Sequence, residues 1–197
     1  MSDTISISCK CGAFTAVLHH DRPERCNHAV CYCVDCQAAA RHLGEWDRIT
    51  DEKGGTEIYQ TVPEKLEIME GADHLAVMQL APKGLYRWHT SCCGTSLGNT
   101  LGGPKFSFVG LIVANMEPPL EALGPVQFRY KPEQALAPVS EPKGNLAYFA
   151  FRTLRNALRA RLTGAWRKTP FFDVKTGLAA SKPVVLSEAE RAAAYKA

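Results

Sequence analysis

Ile5-Ser6-Ile7-Ser8-Cys9-Lys10-Cys11-Gly12-Ala13-Phe14-Thr15-Ala16-Val17-Leu18 reads as two strands joined at a cysteine pair. Ile5 and Ile7 alternate with polar neighbours, and an apolar run resumes at Phe14, so both arms have the pattern of short strands. Two cysteines one residue apart rarely reach disulfide geometry with each other. Set in the turn between two strands, they form the kind of knuckle that a tetrahedral thiolate site uses. A mainly β protein held together by metal is the fold that this stretch implies.

Seven of the eight cysteines fall into three such groups: Cys9 with Cys11, then Cys31, Cys33 and Cys36, then Cys92 with Cys93. The chain opens on Met1-Ser2-Asp3-Thr4 without an apolar signal segment, which predicts a cytoplasmic protein with reduced thiols. Clustered reduced cysteines point to zinc first, with a redox relay or inert buried thiols as alternatives. At 197 residues, 46% hydrophobic and 22% charged, the chain can bury one core and carry an appendage. The formal charge of +3 counts no thiolates. Seven ionised cysteines around two zinc ions bring it to about zero, so charge alone supports no nucleic-acid role. No apolar run reaches the length of a spanning helix, and no membrane partner is expected.

Residues 57–61, 66–69, 75–80 and 85–88 are further short strand candidates, punctuated by Pro63, Gly71, Pro82 and Gly84. The apolar run 106–113 suits a strand covered on both faces. The β domain thus occupies 1–115. Residues 116–144 carry six of the twelve prolines and make an irregular surface connection. A partly helical extension, 145–197, is expected to pack on the β domain. Within it, Phe151, Leu154, Leu158 and Leu162 recur at helical spacing between Arg152, Arg155, Arg159 and Arg161. This predicts a basic amphipathic helix over 148–162 that packs on the β domain with solvated arginines; a membrane-surface, nucleic-acid or oligomer contact is the alternative use. Ser187 and Glu190 stand at capping-box spacing and predict a short helix over 187–195.

The cysteine groups differ in completeness. Cys9 and Cys11 need a second pair brought in by the fold, and Cys92 with Cys93 are the candidates; four thiolates make a closed, structural site. Cys31, Cys33 and Cys36 can wrap one ion locally and leave a position open, unless Cys26, His28 or His89 closes it. An open zinc position is what metal catalysis requires. Three thiolates offset the ion's charge and favour a soft thiol as the fourth partner, so thiol chemistry is favoured over hydrolysis.

Cys9-x-Cys11-Gly12, Cys31-x-Cys33-x2-Cys36 and Arg87-x5-Cys93-Gly94-Thr95 resemble the motifs of the glutathione-dependent formaldehyde-activating enzymes, a family that includes the CENP-V-like proteins. The resemblance covers roughly residues 4–115. It implies an Mss4-like β-tent fold, a structural zinc on the first and last cysteine pairs and a second zinc on the middle triplet. It also implies a carbon–sulfur lyase that joins a small thiol such as glutathione to a small aldehyde. The chain departs from the family at its last motif, which would place a cysteine at Thr90. Here Cys92 directly precedes Cys93, and joint ligation by neighbours needs a turn or bulge, because adjacent side chains in extended backbone face opposite ways. His89 is the other candidate for the fourth position. Asp35, His42 and His89 are candidate proton donors for such a reaction. Phe171 and Phe172, beyond the resemblance, either fill the core or form a lid over the open zinc. The rival classes are a zinc-stabilised, non-catalytic protein- or nucleic-acid-binding module and thiol redox chemistry at Cys33 and Cys36.

Overall fold

The computed structural model describes residues 3–20, 25–117 and 120–196. β1 (Asp3–Ser8) and β2 (Thr15–His20) form the expected antiparallel pair, with Ile5 opposite Leu18 and Ile7 opposite Ala16. Their alternation puts Ile5, Ile7, Ala16 and Leu18 on one buried face. β5 (Leu66–Glu70) pairs with the free edge of β2 and completes a three-stranded sheet.

The second sheet contains β3 (Asn27–Cys31), β4 (Thr56–Thr61), β6 (Leu75–Gln79), β7 (Tyr86–Thr90), β8 (Ser96–Thr100), β9 (Val109–Ile112), β10 (Phe128–Tyr130) and β11 (Val184–Val185). Their spatial order is β10-β3-β4-β9-β8-β7-β6-β11, antiparallel throughout except at the two edges, where β10 and β11 join in parallel. Ile5 and Leu18 from the small sheet and Phe14 from the β1–β2 turn share one core with Tyr59, Val77, Trp88, Val109 and Leu111 from the large one. β9 is covered on both faces, as its composition predicts, but it is shorter than the apolar run: Phe106 is exposed and the chain leaves the sheet at Val113 in a 3-10 turn. The outer face of the sheet carries α1 (Val34–His42) and α2 (Trp46–Ile49), which bury Ala40 and Ile49 against Ile112.

The C-terminal third supplies α3 (Leu146–Thr163) and α4 (Glu188–Tyr195). The mainly β fold with helices toward the C terminus is the one expected, and the capping box of Ser187 and Glu190 opens α4. Phe171 and Phe172 fill the core: their rings lie 4.9 Å from Trp88 and 5.8 Å from Tyr86 respectively. They form no lid over the triplet. Among the described residues, no helix is long and apolar enough to cross a membrane.

The orientation of α3 corrects the sequence reading. The stripe of Phe151, Leu154, Leu158 and Leu162 is 57, 62, 55 and 79% exposed, while Arg152, Ala157 and Ala160 are buried. The reason is the surface on which the helix lands. β3 and β4 present the side chains of Asn27 and Gln60, and the chain just before β3 presents carbonyl oxygens, all of which need partners once covered. Arg152 donates to Cys26 O at 2.8 Å and Gln127 Oε1 at 2.6 Å, Thr153 Oγ1 lies 2.9 Å from Gln60 Nε2 and 3.1 Å from Asn27 Nδ2, and Asn156 donates to Arg25 O. Polar satisfaction turns the polar face inward and leaves the apolar stripe outward.

Candidate functional site

The first cysteine cluster joins two turns that are distant in sequence. The β1–β2 turn closes through Cys9 N–H to Phe14 O at 3.1 Å and Gly12 N–H to Cys9 O at 3.0 Å. Between β7 and β8, Gly94 takes a left-handed φ of 72° and its N–H returns to Thr90 O at 2.8 Å. This tight turn is the distortion that adjacent Cys92 and Cys93 require in order to face one partner. The sulfurs of Cys9, Cys11, Cys92 and Cys93 all lie within 4.8 Å of one another. Cys9 to Cys11 is 3.5 Å, Cys11 to Cys92 3.4 Å, Cys9 to Cys92 3.9 Å and Cys92 to Cys93 3.8 Å. A tetrahedron of thiolates with metal–sulfur bonds of about 2.3 Å sets its sulfurs about 3.8 Å apart, so the donor set fits. Thr90, where the resemblance would place a cysteine, instead sets its hydroxyl 3.3 Å from Cys93 Sγ, and Thr95 sets another at 3.1 Å. Burial opposes ionisation of Cys93, but these hydroxyls and the backbone N–H groups of Cys11 and Thr95 outweigh it and hold the thiol at about 5. His89 does not join the cluster; its Nδ1 lies 3.4 Å from Arg87 O.

A buried carboxylate ties the two turns together from behind. Glu45, 1% exposed, pairs with Lys10 Nζ at 2.6 Å and with Arg48, whose Nε donates at 2.9 Å. Lys10 also donates its backbone N–H to Thr95 Oγ1 at 3.0 Å. Burial pushes the Glu45 carboxyl up, but Arg48 and then Lys10 prevail and hold it below its usual range. The contribution of these pairs is therefore present above the ordinary carboxylate range and is lost as pH falls through the lowered folded value. Glu45→Gln is expected to cost about 2 kcal/mol at neutral pH, less than for a fully buried pair because both cations are partly solvated. Urea unfolding of both proteins across the acid range checks this; the difference between them should shrink toward zero at low pH.

The second cluster is local. Cys31 ends β3, Cys33 caps α1 by accepting from Cys36 N–H at 3.4 Å, and Cys36 stands in the first helical turn. Their sulfurs converge, with Cys31 and Cys33 3.3 Å apart. The Arg87 guanidinium, buried on β7, lies 3.9 Å from Cys36 Sγ and donates to Asn99 Oδ1 at 3.3 Å. Hydrogen bonds from Cys31 and Cys33, followed by the Arg87 charge, hold the Cys36 thiol well below its ordinary value despite full burial, whereas Cys33 and Cys36, with burial, push Cys31 up.

None of the sequence candidates closes this site. Cys26 is buried in the core with its sulfur 3.5 Å from Thr61 Oγ1. His28 uses both ring nitrogens, Nδ1 at 2.7 Å from Gly124 O and Nε2 at 2.6 Å from Glu57. Among the described residues the triplet offers three sulfurs and no fourth His, Cys, Asp or Glu ligand within the cluster. The cluster opens on a cavity of about 470 Å³, walled by Ile58, Leu85, Phe108, Tyr130 and Phe149, with Arg87, Asn99 and Asp35 as polar points. Of the candidate proton donors, Asp35 lines the cavity and accepts a hydrogen bond from the Tyr195 hydroxyl. Burial and Asp35 push that phenol up to about 12, so it donates throughout the neutral range. His42 lies at the opposite end of α1, and His89 does not line the cavity. Tyr130, Phe149 and Tyr195 were missed by the sequence reading because their approach to the triplet is purely tertiary. Arg87 was visible only as one residue of a motif.

Fold and site together define a two-sheet β protein with two thiol clusters, each arranged to hold a metal ion. The chain belongs to a family of unknown function, DUF6151, whose model matches residues 1–181. No curated protein matches it. A Rhodobacter sphaeroides protein of known crystal structure is similar at 20% identity and a TM-score of 0.44, over 64% of this chain and 99% of that one.

Proposed function

We propose that the protein carries two zinc ions, a closed one on Cys9, Cys11, Cys92 and Cys93 and an open one on Cys31, Cys33 and Cys36. On this reading the open site serves a carbon–sulfur lyase, forming or cleaving the adduct of a glutathione-like thiol and a small aldehyde. The observation that carries it is the triplet at the wall of a cavity, three sulfurs with no fourth protein ligand among the described residues. The resemblance of the cysteine motifs to glutathione-dependent formaldehyde-activating enzymes supports the same chemistry. All-sulfur donor sets favour zinc over harder divalent ions.

A zinc ion held there supplies a soft Lewis-acidic position that keeps a thiol as its thiolate. The chain's own residues do the rest. Arg87 offsets the negative charge of the three sulfurs and offers a cation where oxygen charge develops; Asn99 orients it. In the forward direction a sulfur lone pair forms the C–S bond to the carbonyl carbon, and the C=O π pair moves to oxygen. The proton that the thiol gives up passes to Asp35, which lines the cavity, and from Asp35 to that oxygen; cleavage reverses each transfer.

Metal analysis should give two zinc ions per chain, and glutathione or a related thiol should shift the visible bands of cobalt placed in the triplet. Two bound ions with no shift from any small thiol would favour the non-catalytic binding module, for which the exposed stripe of α3 is a ready surface. Arg87→Met is expected to lower kcat/KM by roughly 10²–10³-fold with both metals retained, and Arg87→Lys to recover part of it. Steady-state rates alongside zinc content measure this; equal rates in all three proteins would remove Arg87 from the mechanism.

A further inference from the structure

The cavity at the triplet does not end at its own walls. Leu85, Phe108, Phe149 and Gln60 line it on one side and on the other line a second depression of about 400 Å³. That groove runs along the flank of α3 past Leu146, Ala150 and Leu154 and is bounded opposite by Leu85, Leu101 and Phe106. Its two polar residues, Gln60 and Thr153, turn their polar atoms toward each other, so the lining surface is apolar throughout. From Leu146 to Leu154 the groove follows α3 for about 12 Å. An apolar trough of that length, open to solvent and continuous with a site that holds a reactive head group, fits an unbranched hydrocarbon chain; a compact polar ligand would leave it wet.

We propose that this groove is the tail-binding half of an extended ligand site, and that the ligand is an amphiphile with a straight alkyl chain whose thiol or aldehyde head lies at Cys31, Cys33 and Cys36. The position of the head rests on the open-metal reading; the groove's affinity for the chain does not. Small C1 aldehydes would leave most of the combined space unfilled, so the natural adduct bears a longer apolar group. Exclusion of glutathione's peptide from the groove follows from the same surface, because its amides and carboxylates would find no partner there.

The test titrates ethanethiol, hexanethiol and decanethiol into cobalt-loaded protein and reads the sulfur-to-cobalt absorption. Beyond hexanethiol, affinity should rise about fourfold per methylene, some two hundred-fold to decanethiol. Ala150→Trp fills the groove from an exposed helical position, and Leu154→Arg charges its rim; both should flatten that rise while leaving ethanethiol binding unchanged. A rise below twofold per methylene, or one that persists in Ala150→Trp, overturns the proposal. If no thiol alters the cobalt bands, the open-metal reading fails, and dansyl-undecanoate fluorescence decides the groove alone. Enhancement with the wild type that is abolished in Ala150→Trp sustains it, and no enhancement with the wild type sinks it.

Discussion

Cys9→Ser is expected to yield a protein that binds one zinc ion instead of two and no longer unfolds cooperatively at room temperature. Cys9 is the buried member of its cluster and accepts from the Phe14 N–H at 3.3 Å, so the substitution disturbs the knuckle as well as the donor set. A structural thiolate site contributes on the order of 10 kcal/mol to folding. That is comparable to the whole stability of a typical domain, about 5–15 kcal/mol. The loss should be concentrated where β1 and β2 meet the β7–β8 turn, because the sulfurs and the Lys10–Glu45 pair both join these segments. Circular dichroism during heating, with zinc content measured on the same sample, is the check. A variant that keeps two zinc ions, or that melts within a few degrees of the wild type, would show that the cluster is not a folding element.

Cys36→Ser should do the reverse. The triplet is local to β3 and α1, and the helix keeps its Cys33 cap, so the fold should survive with a small change in melting temperature. Zinc content should fall to one ion, and thiol-induced changes in the cobalt spectrum should vanish. Losing the metal's stabilisation of developing charge, several kcal/mol, lowers kcat/KM on the order of 10³-fold. Serine is nearly isosteric but a poor soft-metal ligand, and it gives Arg87 a neutral partner in place of the ionised sulfur. Retention of both ions together with full activity would mean that the open site is held by other residues.

The contrast between these two variants follows a division already legible in the cysteine spacings, and so was much of the fold. β4, β5, β6 and β7 lie where turn residues bracket apolar runs, and α4 lies behind its capping box. What escaped did so for definable reasons. β8 is wholly buried yet reads Ser-Leu-Gly-Asn-Thr; its polar groups are used in the interior, Thr100 accepting from Trp88 Nε1 at 2.9 Å and Asn99 from Arg87. A Cβ at Gly98 would come within 2.4 Å of Gly110 O, so this strand needs the residue that composition assigns to a loop. β3 hides in the same way behind Asn27 and His28, whose partners come from β4, the Gly124 turn and α3. α1 packs through alanines, which leave little helical periodicity to detect. The stripe on α3 was detected correctly and pointed the wrong way, because periodicity identifies a face but not what the neighbouring surface demands.

The hydrogen bond from Tyr195 to Asp35 has a practical side. It brings α4, 160 positions away in sequence, onto α1, which Cys33 caps and whose first turn carries Cys36. A polyhistidine tail placed after α4 would hold imidazoles beside a site with room for another ligand, and metal counts or spectra taken on such a preparation would describe the tail as much as the protein. A tag ahead of β1 starts a strand's length, about 20 Å, from the Cys9 knuckle and avoids that competition.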